Sequence, residues 1–317
     1  MMRRRKIGKV LQLGDCIGIV APATAIGDYD VMGARSFLHH LGYKTKMAPS
    51  VYASYGYLAG TDVMRANDLN DFFADDTVNA ILCLRGGYGA TRILDLLDYD
   101  LISAHPKLFI GYSDITAIHT ALGERCRLAT IHGPMLTSFR QRYTRYTAET
   151  FATGISSVRP IGEFPMPPRR KLVSLRPGTA TGTIVGGNLS LLAALTGTPY
   201  ELSGIGGLLV IEEVGEEPYS LDRMLRQLWQ SGLLRRVGGI IFGEFTHCNP
   251  KKNDTYEFTV DEVLQQYAMM VDVPVLSGLP VGHGRYNAFL PLGVEGTIIS
   301  NDGQAVFTIN KNHCSAK

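Results

Sequence analysis

The 317-residue sequence has little of several features that would point directly to a class of protein. It contains one tryptophan, its formal net charge is only +2, and 19% of its residues are charged. A charge this close to zero does not indicate a polyanionic partner, so we predict no nucleic-acid binding. Apolar residues make up 45% of the chain, which excludes a largely disordered protein.

Long apolar runs are also missing. No stretch of about 18 or more apolar residues occurs, so we expect no membrane-spanning helix. The basic residues 3–6 resemble the start of a signal peptide, but Gln12, Gly14 and Asp15 interrupt the apolar stretch that such a peptide requires. We therefore expect a cytoplasmic protein without a membrane partner.

The cysteines lack the spacing of a zinc site or a redox motif. Five are present, and no two of them form a C-x-x-C pair. Reduced thiols in the cytoplasm agree best with this pattern. The five are Cys16, Cys83, Cys126, Cys248 and Cys314.

Short apolar strands alternate with amphipathic helices in the first half of the chain. Residues 16–23 form a β-branched apolar run, and residues 30–41 carry apolar side chains at helical spacing. The alternation predicts an α/β domain at about residues 1–140 with a doubly wound, mainly parallel, flavodoxin-like sheet. The further strands are predicted at 80–84 and 107–111, and the further helices at 61–74, 90–97 and 115–122.

A proline-rich segment follows this domain. Residues 141–180 contain five prolines and the basic run Arg169–Lys171, a composition unfavourable to a long helix or a central strand, so we predict a linker. Residues 181–317 are predicted to form a strand-rich C-terminal domain with one helix at 221–228. Its strands are predicted at 181–185, 207–211, 239–243, 273–276 and 305–309.

Ser113 is the candidate nucleophile. It lies between an apolar strand and a helix, where a sharp turn can raise a hydroxyl above the carboxyl ends of a parallel sheet. The amide of Asp114, at the start of that helix, is the nearest candidate donor to an oxyanion. The alternative reading is that Ser113 or Asp114 caps the helix. Ile115 stands where the α/β-hydrolase motif G-x-S-x-G has its second glycine, which disfavours that family.

The loop Arg85–Gly89 follows a predicted buried strand and contains three glycines. Its backbone amides can approach a ligand closely, and we predict Gly87 as a second oxyanion donor. Arg85 and Gly86 are predicted to bind a substrate carboxylate. A tight turn without a binding role remains the alternative, and the loop does not match a nucleotide-phosphate motif.

Six separated sequence blocks together resemble the LD-carboxypeptidase family. They occur in the family's order, and the resemblance extends over nearly the whole chain except the linker and the ends. The blocks are RGGYGATRIL (85–94), IGYSDITAIH (110–119), HGPM (132–135), GGNLSLLAALTGTP (186–199), IEEVGEEPYSLDRMLRQL (211–228) and GLPVGH (278–283).

The resemblance implies a Ser-His-Glu triad. Its nucleophile corresponds to Ser113, its base to His283 and its acid to Glu212. The family usually has Glu-Asp where this chain has Glu212-Glu213, so the choice between these two glutamates stays open. A serine needs an adjacent base to become nucleophilic, and that imidazole needs a carboxylate to fix its tautomer.

The implied function is a serine carboxypeptidase that removes the terminal D-alanine from a peptidoglycan tetrapeptide in murein recycling. The resemblance also implies that no metal or other cofactor is needed, and relatives suggest a homodimer. Lysine and meso-diaminopimelate stay open as the diamino acid of the stem. Two rival functions remain: a microcin-type immunity peptidase that cleaves a peptidyl or aminoacyl nucleotide, and a non-catalytic anion-binding module.

Overall fold

The computed structural model describes residues 5–26, 31–140, 143–250, 257–301 and 303–317. Residues 3 and 4 of the basic start and Asp30, the predicted first residue of a helix, lie outside the described residues. The chain divides into two compact units. Unit 1 comprises Met1–Pro160, Ala288–Gly293 and Asn312–Lys317, and unit 2 comprises Ile161–Asn287 and Val294–Lys311.

The strands of the described chain are short, and every strand longer than five residues lies in unit 2. They are β1 Gly8–Lys9, β2 Cys16–Val20, β3 Lys44–Met47, β4 Ala80–Cys83, β5 Leu108–Gly111, β6 Thr130–His132, β7 Gly162–Glu163, β8 Val173–Arg176, β9 Gly178–Asn188, β10 Leu208–Val214, β11 Gly239–Thr246, β12 Val275–Ser277, β13 Leu290–Leu292, β14 Glu295–Asn301, β15 Gln304–Ile309 and β16 Cys314–Ser315.

The helices mostly follow strands. They are α1 Val31–His40, α2 Asp62–Ala74, α3 Tyr99–Ala104, α4 Thr116–Ala121, α5 Arg145–Ser156, α6 Leu189–Leu195, α7 Pro218–Gln230, α8 Leu233–Arg236 and α9 Val260–Met270. Short 3₁₀ turns occupy Pro49–Tyr52, Ala90–Leu96, Ser113–Ile115 and Leu136–Phe139, and a π turn occupies Leu122–Cys126.

Unit 1 is built on a six-stranded sheet in the order β13-β6-β5-β4-β2-β3. All neighbouring strands are parallel except β13, which pairs antiparallel with β6. Every residue of β4 and β5 is buried, as expected for central strands with both faces covered. The predicted mainly parallel, doubly wound α/β sheet is confirmed.

Unit 2 contains an eight-stranded sheet in the order β7-β15-β14-β9-β10-β11-β12-β8. Strands β9 to β12 are parallel to one another, and the strands outside them pair antiparallel. Helix α7 packs Leu221, Leu225 and Leu228 into the core, at the spacing of one helix face. The strand-rich character predicted for the C-terminal half is confirmed.

The predicted linker is more ordered than its composition suggests. Residues 145–156 form α5, because the prolines of this segment all follow residue 157 and leave the helix uninterrupted. Strand β8 also lies in the segment and pairs with β12. The division between the two units falls at Pro160, inside the predicted linker.

Candidate active site

Ser113 has a left-handed backbone conformation, with φ of +65°. It lies two residues after the last residue of β5 and starts the 3₁₀ turn that leads into α4. A non-glycine residue in this region costs of order 1 kcal/mol or more, and such strain is concentrated at functional sites. The sharp strand-to-helix turn predicted for the nucleophile is therefore present, and it is strained.

Two glycines make room for this turn. A Cβ on Gly111 would lie 2.8 Å from Ile115 Cγ2, so the glycine is needed beside that bulky side chain. A Cβ on Gly86 would lie 2.9 Å from Ser113 Cβ and 3.1 Å from its Oγ. In the hydrolase motif G-x-S-x-G, a second glycine stands where this chain has Ile115. Here Gly86 of the neighbouring loop leaves space beside the serine.

We expect Gly86→Ala to reduce turnover by roughly a hundredfold, because displacing a reacting group by about 1 Å can cost this much. The added methyl would crowd the Ser113 side chain and would lie 3.4 Å from the Asp114 amide nitrogen. Steady-state kinetics with a thermal melt measures the effect. The control is Gly123→Ala, whose Cβ would meet only the flexible end of Arg5, at 3.2 Å. Equal activity of the two variants would show that the space at Gly86 is not used.

Thr24 holds the Arg85–Gly89 loop from the side of β2. Gly87 has φ of +118°, and a Cβ on it would lie 2.3 Å from Thr24 Oγ1. The same hydroxyl oxygen accepts a hydrogen bond from the Tyr88 amide at 2.9 Å. Gly87 and Tyr88 therefore pass close to the Thr24 side chain, and the approach of the loop amides to a ligand stays a prediction.

Two buried charged side chains hold the end of this loop. The Asp114 carboxylate accepts a hydrogen bond from the Ala90 amide at 2.8 Å, and burial raises the pKa of Asp114. Arg65 is fully buried; its Nη1 donates to the Gly89 carbonyl at 2.9 Å, and Nη2 pairs with Asp62. The turn at Ser113 and the glycine loop are thus tied together within unit 1.

Arg85 is partly buried at the start of the loop. Its Nε donates to the carbonyl of Gly86 at 3.2 Å, so the side chain lies along its own loop. A guanidinium has five N–H donors, so one intraloop bond leaves others available to a carboxylate.

Glu212 and His283 form a hydrogen-bonded pair in unit 2. His283 Nδ1 lies 2.8 Å from Oε2 of Glu212, whose side chain is fully buried in β10. Burial raises the pKa of the Glu212 carboxyl, and the hydrogen bond with His283 opposes that rise. When Glu212 is ionised, Nδ1 must donate, and Nε2 of the neutral ring is then the acceptor.

Gly282 allows His283 to approach the strand. It has φ of +116°, and a Cβ on it would lie 2.6 Å from Oε2 of Glu212. Its amide donates to Oδ1 of Asn287 at 3.2 Å. Any larger residue at this position would separate the imidazole from its carboxylate.

Glu213 has hydrogen-bond partners other than His283. Its carboxylate accepts hydrogen bonds from Asn188 Nδ2, from the Ser190 amide and hydroxyl, and from the Val214 amide, at 2.7–2.8 Å. Strand alternation turns neighbouring side chains to opposite sides, which separates the two glutamates. Glu212 binds the histidine, and Glu213 holds the start of α6.

The sequence interpretation did not include Thr24 or Arg65, and for Asp114 it named the backbone amide as an oxyanion donor, with helix capping as the alternative. Thr24 follows β2 as the glycine loop follows β4, and loops after neighbouring parallel strands meet at one edge of a sheet. That rule could have found Thr24. Arg65 carried no such signal, because a helix arginine usually lies in solvent.

Among the described residues, no group of three or more His, Cys, Asp and Glu side chains is placed to hold a metal ion. Within the same part of the chain, no helix has the length and apolar content needed to cross a membrane.

Comparison with known proteins assigns the chain to a class and then to a family. Residues 17–133 match the description "LD-carboxypeptidase N-terminal domain", and residues 181–298 match "LD-carboxypeptidase C-terminal domain". Both describe a peptidase, so the protein is a hydrolase by class. The chain belongs to the LD-carboxypeptidase family, peptidase family S66.

Two curated relatives match almost end to end. A Bacillus subtilis (strain 168) protein named "Probable murein peptide carboxypeptidase" is 38% identical over 308 residues, which cover 94% of this chain and 93% of the relative. The "Murein tetrapeptide carboxypeptidase" of Pseudomonas aeruginosa is 33% identical over 302 residues, covering 90% and 93%.

Solved structures of two kinds share the fold. The muramoyltetrapeptide carboxypeptidase from Oxalobacter formigenes has a TM-score of 0.81 at 27% identity and covers 94% of this chain and 99% of its own. An MccF-like protein from Bacillus anthracis str. Ames has a TM-score of 0.86 at 28% identity, covering 97% and 100%. The microcin C7 self immunity protein MccF, in complex with aspartyl sulfamoyl adenosine, has a TM-score of 0.88 at 25% identity, covering 98% and 100%.

Proposed function

We propose that this protein is a serine-type LD-carboxypeptidase that releases the terminal D-alanine from peptidoglycan tetrapeptides. The hydrogen bond between His283 Nδ1 and the buried Glu212 carboxylate carries the proposal, because it prepares Nε2 as a base. The relatives named murein carboxypeptidases support the substrate class. The reaction belongs to murein recycling in the cytoplasm, and the proposed assembly is a homodimer.

The proposed reaction begins with Ser113. Nε2 of His283 takes the Oγ proton while Oγ bonds to the carbonyl carbon of the third stem residue, and Glu212 stabilises the imidazolium. The left-handed turn at Ser113 supports this role, since it presents the hydroxyl at the end of β5. The proposal requires Oγ and Nε2 to come within hydrogen-bonding distance.

The amides of Gly87 and Asp114 are the proposed oxyanion donors. Fixed backbone dipoles stabilise the charge that develops on the carbonyl oxygen without a cost of reorganisation at the moment of reaction. Collapse of the tetrahedral intermediate transfers the proton from His283 to the departing D-alanine nitrogen and leaves an ester on Ser113. Water, deprotonated by His283, then hydrolyses that ester and restores the serine hydroxyl.

We assign Arg85 and the Gly86 backbone to the terminal carboxylate of the substrate. A planar guanidinium beside backbone amides suits a carboxylate, and this contact would select peptides that end one residue beyond the scissile carbonyl. A longer stem would not place its carboxylate at the guanidinium, so the favourable contact would be lost. Its extra atoms would also clash with the loop, so both effects would disfavour the longer substrate.

The enzyme should therefore release alanine from a free tetrapeptide, but it should not release alanyl-alanine from a pentapeptide stem or alaninamide from a C-terminally amidated tetrapeptide. Mass spectrometry of the three incubations measures the products, and we expect a difference of about tenfold or more for the lost charge-assisted contact. Equal cleavage of the free and amidated tetrapeptides would show that no terminal carboxylate is recognised. The assignment would then become a broader amide hydrolase.

Hydrolysis of a peptidyl or aminoacyl nucleotide is the second candidate, favoured by the likeness to MccF bound to aspartyl sulfamoyl adenosine. The curated relatives of higher identity favour the murein substrate. Adding an aspartyl nucleotide to the same assay separates the two, because an immunity peptidase would cleave it and leave the tetrapeptide intact.

A further inference from the structure

Glu244 lies beside the candidate base and has no role in the reaction described above. It is near the carboxyl end of β11, the strand next to Glu212 on β10. The pairing shifts here: Ile211 faces Phe242, but Glu213 faces Phe245, so β11 carries one extra residue opposite Glu212. Bulges of this kind redirect side chains and occur next to active sites.

The loop that carries His283 packs against both glutamates. A Cβ on Gly282, before the histidine, would lie 2.6 Å from Oε2 of Glu212. Gly284, after it, would bring a Cβ to 2.9 Å from the Glu244 carboxyl carbon, and the Glu244 amide donates to the Val281 carbonyl at 3.0 Å. Glu244 is therefore held against the loop that carries His283, on the carboxyl edge of parallel strands where ligands of α/β sheets bind.

The charge of Glu244 is weakly compensated within unit 2. Its side chain is 19% exposed and pairs with Arg170 at 3.5 Å, whereas the Glu201–Arg236 pair of the same unit is at 2.6 Å. Burial raises the pKa of Glu244, and Arg170 opposes the rise only in part. Arg170 is itself half exposed, so both members of the pair can receive a ligand.

We propose that Glu244 and Arg170 bind the end of the diamino-acid side chain, Glu244 its ammonium group and Arg170 its carboxylate. The inference rests on the proposed function, in which the carbonyl attacked near His283 belongs to that diamino acid. A meso-diaminopimelate side chain ends in both groups, whereas a lysine side chain ends in an ammonium group alone. The pair therefore favours the diaminopimelate stem.

An ordinary surface ion pair is the competing explanation, and such pairs contribute little to stability. The bulge, the contact with Gly284 and the long separation from Arg170 distinguish Glu244 from that case. If the pair contributed to stability alone, the effect of replacing either residue on activity would not depend on the chemistry of the substrate. That dependence is what the test measures.

The test measures kcat/KM of the full chain and two variants, Arg170→Gln and Glu244→Gln, on three tetrapeptides. These contain meso-diaminopimelate, L-lysine or Nε-acetyl-lysine at position three. Glu201→Gln is the control, since it alters a glutamate paired with arginine in the same unit. We expect the wild type to prefer diaminopimelate over lysine by about tenfold or more.

Arg170→Gln should remove that preference without a loss on lysine, and Glu244→Gln should lower activity on both free amines but not on the acetylated stem. The control should resemble the wild type. Equal losses on all three substrates, or no preference in the wild type, would overturn the inference. If the wild type released no alanine from any stem, the proposed function itself would fail.

Discussion

Ser113→Ala is expected to lower kcat by a factor of about 10⁴ or more, with little change in KM. In the proposed mechanism this variant loses the atom that forms the acyl ester, while the loop, the histidine and the glutamate remain. Alanine release from the tetrapeptide by mass spectrometry measures the loss, and labelling by a fluorophosphonate should disappear with it. A non-catalytic anion-binding module would show neither activity nor labelling in the wild type.

Ser113→Gly adds a test of the strain. Glycine adopts positive φ without the cost that serine pays at +65°, so this variant should be inactive yet more stable than the wild type by about 1 kcal/mol. Ser156→Ala, a serine of α5 in the same unit, is the control for both measurements. Near-normal turnover in either Ser113 variant would remove the serine from the mechanism.

The parallel core of unit 1 was predictable because its signals are local. A strand buried on both faces is a continuous apolar run, as in β4, and the helix that follows has its own periodicity. Strand β13 had no such signal. It has three residues with a proline at the centre, and only pairing with the distant β6 makes it a strand. Its assignment to unit 1 therefore required the structure.

The residues of the candidate site also divide into those with a signal in the sequence and those without one. Ser113 was marked by its position between a strand and a helix, and His283 and Glu212 by their sequence blocks. Glu244 was not marked, because its position depends on an irregular pairing between two strands. Arg170 lies in a segment read as a linker, and its partner is 74 residues away.

Replacing the two adjacent glutamates singly should give opposite results, and Glu212→Gln should lower kcat by a factor of about 10³ to 10⁴. A glutamine in place of Glu212 can offer its N–H group to His283, which stabilises the wrong tautomer, and it removes the charge that stabilises the imidazolium. Folding should be affected less than activity, since burial of an ionised carboxyl at this fully buried position is itself unfavourable.

Glu213→Gln should instead cost about 1–3 kcal/mol of unfolding free energy and less than about tenfold in kcat. The carboxylate of Glu213 accepts hydrogen bonds at both oxygens, from Asn188, Ser190 and Val214. The amide group of glutamine would place its own N–H donors against these donors. Chemical denaturation and steady-state kinetics on both variants separate the two roles. If Glu213→Gln were the crippled enzyme and Glu212→Gln nearly normal, the hydrogen bond between Glu212 and His283 would not be the one that catalysis uses. The acidic member of the triad would then have to be reassigned to the neighbouring strand position.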